Sequence, residues 1–313
     1  MTGLRWGIIG GSSRISRKAV VPAIEASQRG ELVAVASRSA DGSDAPYAEL
    51  LRRPDVDIVY NPLPNGLHLR WVLAALEAGK HVLCEKPLGM DAVQVEAMFA
   101  AASDADRVLV EAYMTPFHPR TEAMFRIVDG GELGELRTMR AAFTFPLVVE
   151  RPADHRFDTI LGGGASLDVG IYTTAPLLRA AGREPVAVAA SATWAAPRVD
   201  ASLSAFYDFG SDLSGAVDVS FELPPFQRLE LIGTRAALVA DVAFNPAMAA
   251  ASFAVIQLDG TTATSSFGGA SAYLAMVEHV SAVVLDGLAP RHGRAETLAV
   301  ARTIDRARTA ATS

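Results

Sequence analysis

The stretch His81–Gly89 (HVLCEKPLG) puts a lysine where an apolar run ends. Val82, Leu83 and Cys84 read as a strand. Pro87, with a fixed φ and no N–H to give to a ladder, stops that strand and turns the chain. In an open α/β sheet, chemistry sits beyond the carboxyl ends of the strands. Lys86 is therefore expected at the sheet's edge, working at the reactive end of a cofactor, with Glu85 beside it. A second set lies downstream of the glycine run Gly162-Gly163-Gly164. Asp168 and Tyr172 are four residues apart in a helical pattern, hence on one face. That face is expected to point at the sheet end carrying Lys86, and the glycines to let backbone approach a ligand closely.

Elements that could position these groups follow in order. Leu4–Ile9 reads as a strand, Gly10-Gly11-Ser12-Ser13 as a turn, and Ile15–Ser27 as a helix. Strand, small-residue turn and helix N-terminus are the layout that cradles a pyrophosphate, which makes Gly10, Ser12, Ser13, Arg14 and Ile15 candidate cofactor residues. The turn is serine-rich and one residue longer than usual, and its local sequence fits an ordinary βα turn equally well. Glu31–Ser37 is the next strand. Its end carries Ser37 and Arg38 where an acidic residue would meet a free ribose 2′-hydroxyl. A hydroxyl and a guanidinium suit a 2′-phosphate, so NADP(H) is expected in preference to NAD(H). Asp57–Tyr60 is a third strand, running into Asn61-Pro62-Leu63-Pro64-Asn65. The two prolines stiffen this turn, and Pro62, Leu63 and Asn65 are expected across the nicotinamide side, with Asn65 capping the helix that follows. His68 belongs to the same candidate set, although a helix-surface histidine is the preferred reading. Asp91–Ala102 and Val108–Glu111 complete an alternation of strands and helices, which predicts a doubly wound parallel sheet over residues 1–115.

The pattern changes after Tyr113. A helix over Pro116–Val128 precedes strand candidates at Leu136–Phe145, Val186–Trp194, Ala201–Phe209, Ser214–Phe221, Arg228–Ile232 and Ala236–Asp241. These are separated by turn residues, so the sheet is expected to be mainly antiparallel, with one face on helices and the other meeting solvent or a second subunit. Ser271–Leu288 and Arg294–Thr309 read as closing helices. The fold class is α/β: an N-terminal doubly wound parallel sheet, then, over 116–313, an α+β domain with a large open sheet for substrate binding and dimerisation. Tyr113 and His118 are candidate substrate contacts. Arg120 and Arg156 read as anion contacts or as ordinary ion-pairing residues.

Composition excludes several classes. The chain has 313 residues and a net charge of −7 with no basic stripe, which argues against nucleic acid. No uncharged apolar run approaches the ~20 residues a membrane span needs, and the N-terminus lacks the pattern of a secretory signal. One cysteine rules out a disulfide framework and fits a reducing cytoplasm. No metal site is expected.

Six motifs in order now resemble one family. They are the strand–Gly10 turn, Ala36-Ser37-Arg38, Pro62-Leu63-Pro64-Asn65, Glu85-Lys86-Pro87, Glu111-Ala112-Tyr113-Met114, and Gly163-Gly164-Ala165 through Leu167-Asp168-Val169-Gly170-Ile171-Tyr172. Together they resemble the Gfo/Idh/MocA oxidoreductases. The resemblance implies a Rossmann domain, a second domain whose open sheet often makes a dimer interface, and Lys86 with Tyr172 as a catalytic pair in the cleft between domains. Many inositol-dehydrogenase-like members carry histidine at position 172. Tyrosine there resembles the subgroup of dimeric dihydrodiol dehydrogenases, aldose 1-dehydrogenases and nucleotide-sugar 3-ketoreductases. The expected reaction is hydride transfer between nicotinamide and a carbinol or ketone carbon of a sugar or related cyclic polyol. A free tyrosine, with a pKa near ~10, is a poor base at neutral pH. A close ammonium favours the phenolate, so Lys86 would activate Tyr172, and Asp168 would orient Lys86 or bind a substrate hydroxyl. The alternatives are a nucleotide-sugar 3-ketoreductase and a non-catalytic NADP-binding regulator. A homodimer or tetramer through the second sheet is expected.

Overall fold

The computed structural model describes residues 3–244 and 251–312. The chain forms two compact units, Met1–Phe117 with Ser271–Leu298, and His118–Ala270 with Ala299–Ser313. In the first, β1 (Leu4–Ile9), β2 (Gly30–Ala36), β3 (Ile58–Asn61), β4 (His81–Glu85) and β5 (Leu109–Ala112) form a sheet of order β2-β1-β3-β4-β5. All its pairs are parallel. Every residue of β3 and β5 is buried, as a parallel sheet covered on both faces requires. The crossovers contain α1 (Val21–Glu25), α2 (Ala45–Leu51), α3 (His68–Glu77) and α4 (Ala92–Asp104). Strand order reverses at β1, so the crevice beyond the carboxyl ends of β1 and β3 is the place where such sheets bind ligands.

In the second unit α5 (Pro119–Asp129) leads into β6 (Leu136–Thr144), followed by α6 (Leu147–Glu150) and the long α7 (Ala165–Ala181). Then come β7 (Ala187–Ala196), β8 (Val199–Asp208), β9 (Ser214–Ser220), β10 (Phe226–Gly233), β11 (Ala236–Asp241), β12 (Ala251–Gln257) and β13 (Thr262–Phe267). The eight-stranded sheet has the order β13-β12-β11-β10-β6-β9-β8-β7. Among the described residues only β6 and β9 pair in parallel, so the sheet is mainly antiparallel, as the turn spacing predicts. α7 packs on β6, β8 and β9. The sequence reading did not identify β12 and β13. β13 (TATSSF) is exposed along almost its whole length and has no apolar alternation to mark it.

The closing helices are α8 (Ala272–Asp286) and α9 (Arg294–Ala310). The sequence reading places α8 in a second domain starting at residue 116; it belongs instead to the first unit. There it packs on α1, β1 and β2, and Arg29 forms a bidentate pair with Asp286 at 2.6 and 2.7 Å. Chain order hides such a return, because an apolar helix face carries no address. Among the described residues no helix is long and apolar enough to cross a membrane.

Candidate active site

Lys86 stands immediately beyond β4, half-buried, on a cis peptide bond to Pro87. Three side chains fix the turn it belongs to. The buried Glu111 carboxylate, at the end of β5, accepts the Leu88 N–H at 2.8 Å, and its other oxygen lies 3.2 Å from His292 Nε2. Tyr60, fully buried on β3, donates its hydroxyl to Glu85 at 2.7 Å; burial and the Glu85 charge push that phenol well above its ordinary pKa, so it stays a donor. His68 supplies the third tie. It is fully buried, with Nδ1 2.9 Å from the Pro87 carbonyl and Nε2 2.7 Å from the Leu63 carbonyl. The expectation of a helix-surface histidine is thus corrected. The helical register alone does not show that position 68 opens α3 on the side facing the β3 and β4 turns. Burial holds the imidazole below its ordinary pKa, against the pull of the two carbonyls.

The turn after β3 is built by its own residues. Buried Asn61 Oδ1 accepts the Leu63 N–H at 3.2 Å, closing an Asx turn around Pro62. Asn65 lies in a 3-10 turn, Asn65–Leu67, ahead of α3. The N-cap residues of that turn and of α3 are Pro64 and Leu67, so Asn65 is not the cap that the sequence suggests. Leu63 closes over the phosphate turn: a Cβ on Gly10, at φ +78°, would lie 2.8 Å from Leu63 Cδ2. Gly11 donates its N–H to Ala36 at 2.9 Å, and a Cβ on it would meet Val35 at 2.3 Å. Ser13 N–H returns to Gly10 O at 2.9 Å, which leaves Ser12 and Arg14 exposed and Ser13 and Ile15 half-buried at the start of the helix. A π-helical stretch, Ser16–Val20, follows the turn, with Val21 N–H bonding to Ser16 O.

At the end of β2, Ser37 and Arg38 are exposed. Arg38 Nε lies 3.0 Å from Asp44, at the start of α2. A tight glycine turn at a switch point and an exposed hydroxyl and guanidinium at the β2 end together fit a dinucleotide carrying a 2′-phosphate.

In the second unit, Asp168 and Tyr172 do share a face of α7, and both are half-buried. Arg156 Nε reaches Asp168 at 2.8 Å and its Nη1 reaches Asp154 at 3.2 Å; the Asp168 charge holds the guanidinium firmly protonated. Tyr172 lies against Phe143, ring centroids 5.4 Å apart, and Phe244 at 6.4 Å. Arg120 is fully buried and donates to the carbonyls of Val242 and Ala243, with burial bringing its pKa down to about 10. It thereby fixes the segment carrying Phe244. His118 is buried and caps α5, accepting the Arg120 N–H at 3.1 Å. Tyr113, in the first unit, is buried edge-on to the His292 ring at 5.2 Å.

The glycine run before α7 does permit a close approach. A Cβ on Gly163 would lie 2.3 Å from the Arg156 carbonyl oxygen, and one on Gly164 2.5 Å from Asp200 Oδ1. The glycines admit the protein's own backbone and the buried Asp200. Asp200 accepts both the N–H and the hydroxyl of Ser166 at 2.7 Å, capping α7 from β8. Sequence reading missed Asp200, Asn61, Tyr60 and His292. A polar residue inside an apolar strand, as Asn61 and Tyr60 are, was the available signal.

Residues 4–113 match the family described as oxidoreductase family, NAD-binding Rossmann fold, and residues 121–239 match the GFO/IDH/MocA C-terminal domain. The D-xylose 1-dehydrogenase (NADP(+)) 2 of Haloferax volcanii is 36% identical over 96% of this chain and 95% of its own. The dTDP-3,4-didehydro-2,6-dideoxy-alpha-D-glucose 3-reductase of Actinomadura kijaniata is 40% identical over 57% of this chain and 55% of its own. A solved structure of a mutant 3-ketoreductase from Actinomadura kijaniata, in complex with TDP-benzene and NADP, superposes with a TM-score of 0.87 at 29% identity, covering 99% and 98% of the two chains.

Proposed function

Since the chain belongs to the Gfo/Idh/MocA oxidoreductase family, we propose that it transfers a hydride between NADP(H) and a carbinol or ketone carbon of a sugar or related cyclic polyol. The observation that carries this reading is the Lys86 turn, tied down by His68 and Glu111 beyond the carboxyl end of β4. A surface lysine needs no such support. When bound, the nicotinamide supplies or accepts the hydride. Gly10, Ser12, Ser13, Arg14 and Ile15 face the pyrophosphate, Ser37 and Arg38 the 2′-phosphate, and Pro62, Leu63, Asn65, Glu85 and Lys86 the nicotinamide end. His68 works behind them. Tyr172 moves the proton on and off the substrate oxygen, and the Lys86 ammonium favours its phenolate. Asp168 holds a substrate hydroxyl with Arg156 as its partner, and Tyr113 and His118 are further substrate contacts. The enzyme acts in the cytoplasm as a homodimer or tetramer through the open face of the eight-stranded sheet, a reading that the exposed Phe206 and Phe226 support.

A second reading, reduction of a nucleotide-linked 3-keto sugar, is favoured by the likeness to the Actinomadura 3-ketoreductase. Fluorescence titration with NADPH, followed by turnover on free aldoses, polyols, diols and nucleotide-linked keto sugars, separates the readings. Turnover of free sugars supports the first. Turnover confined to nucleotide sugars supports the second. Tight NADPH binding with no turnover across the panel would mark a regulator and sink both.

A further inference from the structure

Arg38 is not alone at the end of β2. Asp44 Oδ1 lies 3.0 Å from Arg38 Nε, and Asp44 Oδ2 lies 3.2 Å from Nη1 of Arg70, on the first turn of α3. One carboxylate therefore sits between two guanidiniums that come from different crossovers. Both arginines remain open to solvent, with side chains 50% and 64% exposed, while Asp44 is 21% exposed. Arg70 is held in place from below. Its guanidinium carbon lies 4.9 Å from the centroid of the Trp71 ring, and buried Trp71 is in turn packed edge-on against buried Tyr47 at 5.2 Å. Asp44 stands at the N-cap of α2, yet its side chain makes no capping hydrogen bond there. Its carboxylate is committed to the arginines and to nothing in the helix.

We infer that Arg70 and Arg38 together form the seat for the cofactor's 2′-phosphate, and that the Asp44 carboxylate occupies this seat until the phosphate displaces it. The inference rests on the NADP(H) reading above and adds two residues to it. Two guanidinium forks converging on one anion match the charge and donor geometry of a phosphate. Each arginine spends one N–H on Asp44 and keeps its other donors for the further oxygens that a phosphate brings. A phosphate monoester carries up to two charges against the single charge of Asp44, so it wins the exchange, and Asp44 swings outward. NAD(H), lacking the phosphate, leaves the carboxylate where it is. Asp44 thus reduces the net charge of the seat from two positive to one and weakens NADP(H) binding relative to the bare arginine pair.

The test is fluorescence titration of NADPH and NADH against the wild type, Arg38→Ala, Arg70→Ala and Asp44→Asn, each checked for unchanged thermal unfolding. Arg70→Ala is expected to weaken NADPH roughly tenfold, as for loss of one charged hydrogen-bond partner, with NADH changed less than about twofold. Asp44→Asn is expected to tighten NADPH about threefold, the size of an exposed ion pair, and to leave NADH unchanged. If Arg38→Ala abolishes the preference for NADPH while Arg70→Ala preserves it, the two-arginine seat is wrong and the NADP(H) reading stands. If Asp44→Asn weakens NADPH, the carboxylate supports the site and does not compete for it. A wild type with no preference for NADPH overturns the seat and the NADP(H) reading together.

Discussion

His68 Nδ1 lies 2.9 Å from the Pro87 carbonyl oxygen, and the same ring reaches the Leu63 carbonyl with Nε2 at 2.7 Å. One buried ring thus lies between the turn that follows β3 and the turn that follows β4; as a neutral imidazole it donates its one N–H to one of the two carbonyls and packs against the other. Through Leu63, which closes over Gly10, the tie extends to the turn that follows β1. The three loops at the switch point of the sheet are coupled by packing and by one imidazole.

Replacing His68 by alanine removes a ring that both carbonyls face and leaves a buried void. The cost is expected at about 2–4 kcal/mol, combining lost hydrogen bonding with a cavity. The unfolding midpoint should fall, and kcat should fall with it, since the Lys86 turn loses one of its three ties. Asparagine, able to donate to one carbonyl, should restore part of both losses. Full activity and an unchanged midpoint in His68→Ala would show that the tie holds nothing.

Tyr172→Phe removes a hydroxyl and keeps the ring against Phe143 and Phe244. Turnover should drop by a factor of about 100 or more, the usual worth of a positioned acid/base, with NADPH affinity preserved. Steady-state kinetics beside a cofactor titration separates the two effects. A variant that turns over normally would end the proton-transfer assignment.

The parallel and antiparallel characters of the two sheets and the place of Lys86 were legible, because each rests on a local rule. Gly-rich turns, proline stops and apolar runs carry their meaning within a few residues. His68 was misread because its burial is decided by the β3 and β4 turns, which register within α3 does not reveal. The glycines before α7 were legible as a close approach, but not as an approach to Asp200 and Arg156, which requires knowing that β8 lies alongside. α8 was misplaced for the same reason. Nothing local to Arg70 marks it; only the fold, through Asp44, brings it beside Arg38.

Gly164 has φ +121°, a region that residues with a Cβ rarely enter, and its missing side chain makes room for Asp200. Gly164→Ala must strain the backbone and push on a buried carboxylate that caps α7. A loss of about 2–4 kcal/mol is expected. Because α7 carries Asp168 and Tyr172, activity should fall at temperatures well below unfolding. A thermal melt and an activity–temperature profile check both points, and a neutral Gly164→Ala would refute this account of the loop.

Acid should destabilise the protein well before its carboxylates protonate. His68, His81, His118, His155 and His279 all have pKa values held below the ordinary 6.5, with burial the leading cause in each. The unfolded chain therefore takes up protons near pH 6.5 that the folded chain refuses. Whenever the unfolded state binds more protons, stability falls as pH falls. The loss begins at about pH 6.5 and continues down to the lowered folded-state values, while above about pH 7.5 these groups contribute no slope. The aspartates with depressed pKa, such as Asp55 at about 2 beside Arg53, act in the same direction but only below about pH 4, and solvent screens them. The thermal midpoint should thus hold steady from pH 8.5 to 7.5 and drop between pH 6.5 and 5. Fully buried His68 and half-exposed His155 both act in this direction. Melts of the wild type and of His155→Gln across this range decide the matter: a flat profile in the wild type, or one flattened by His155→Gln alone, contradicts the buried-histidine account.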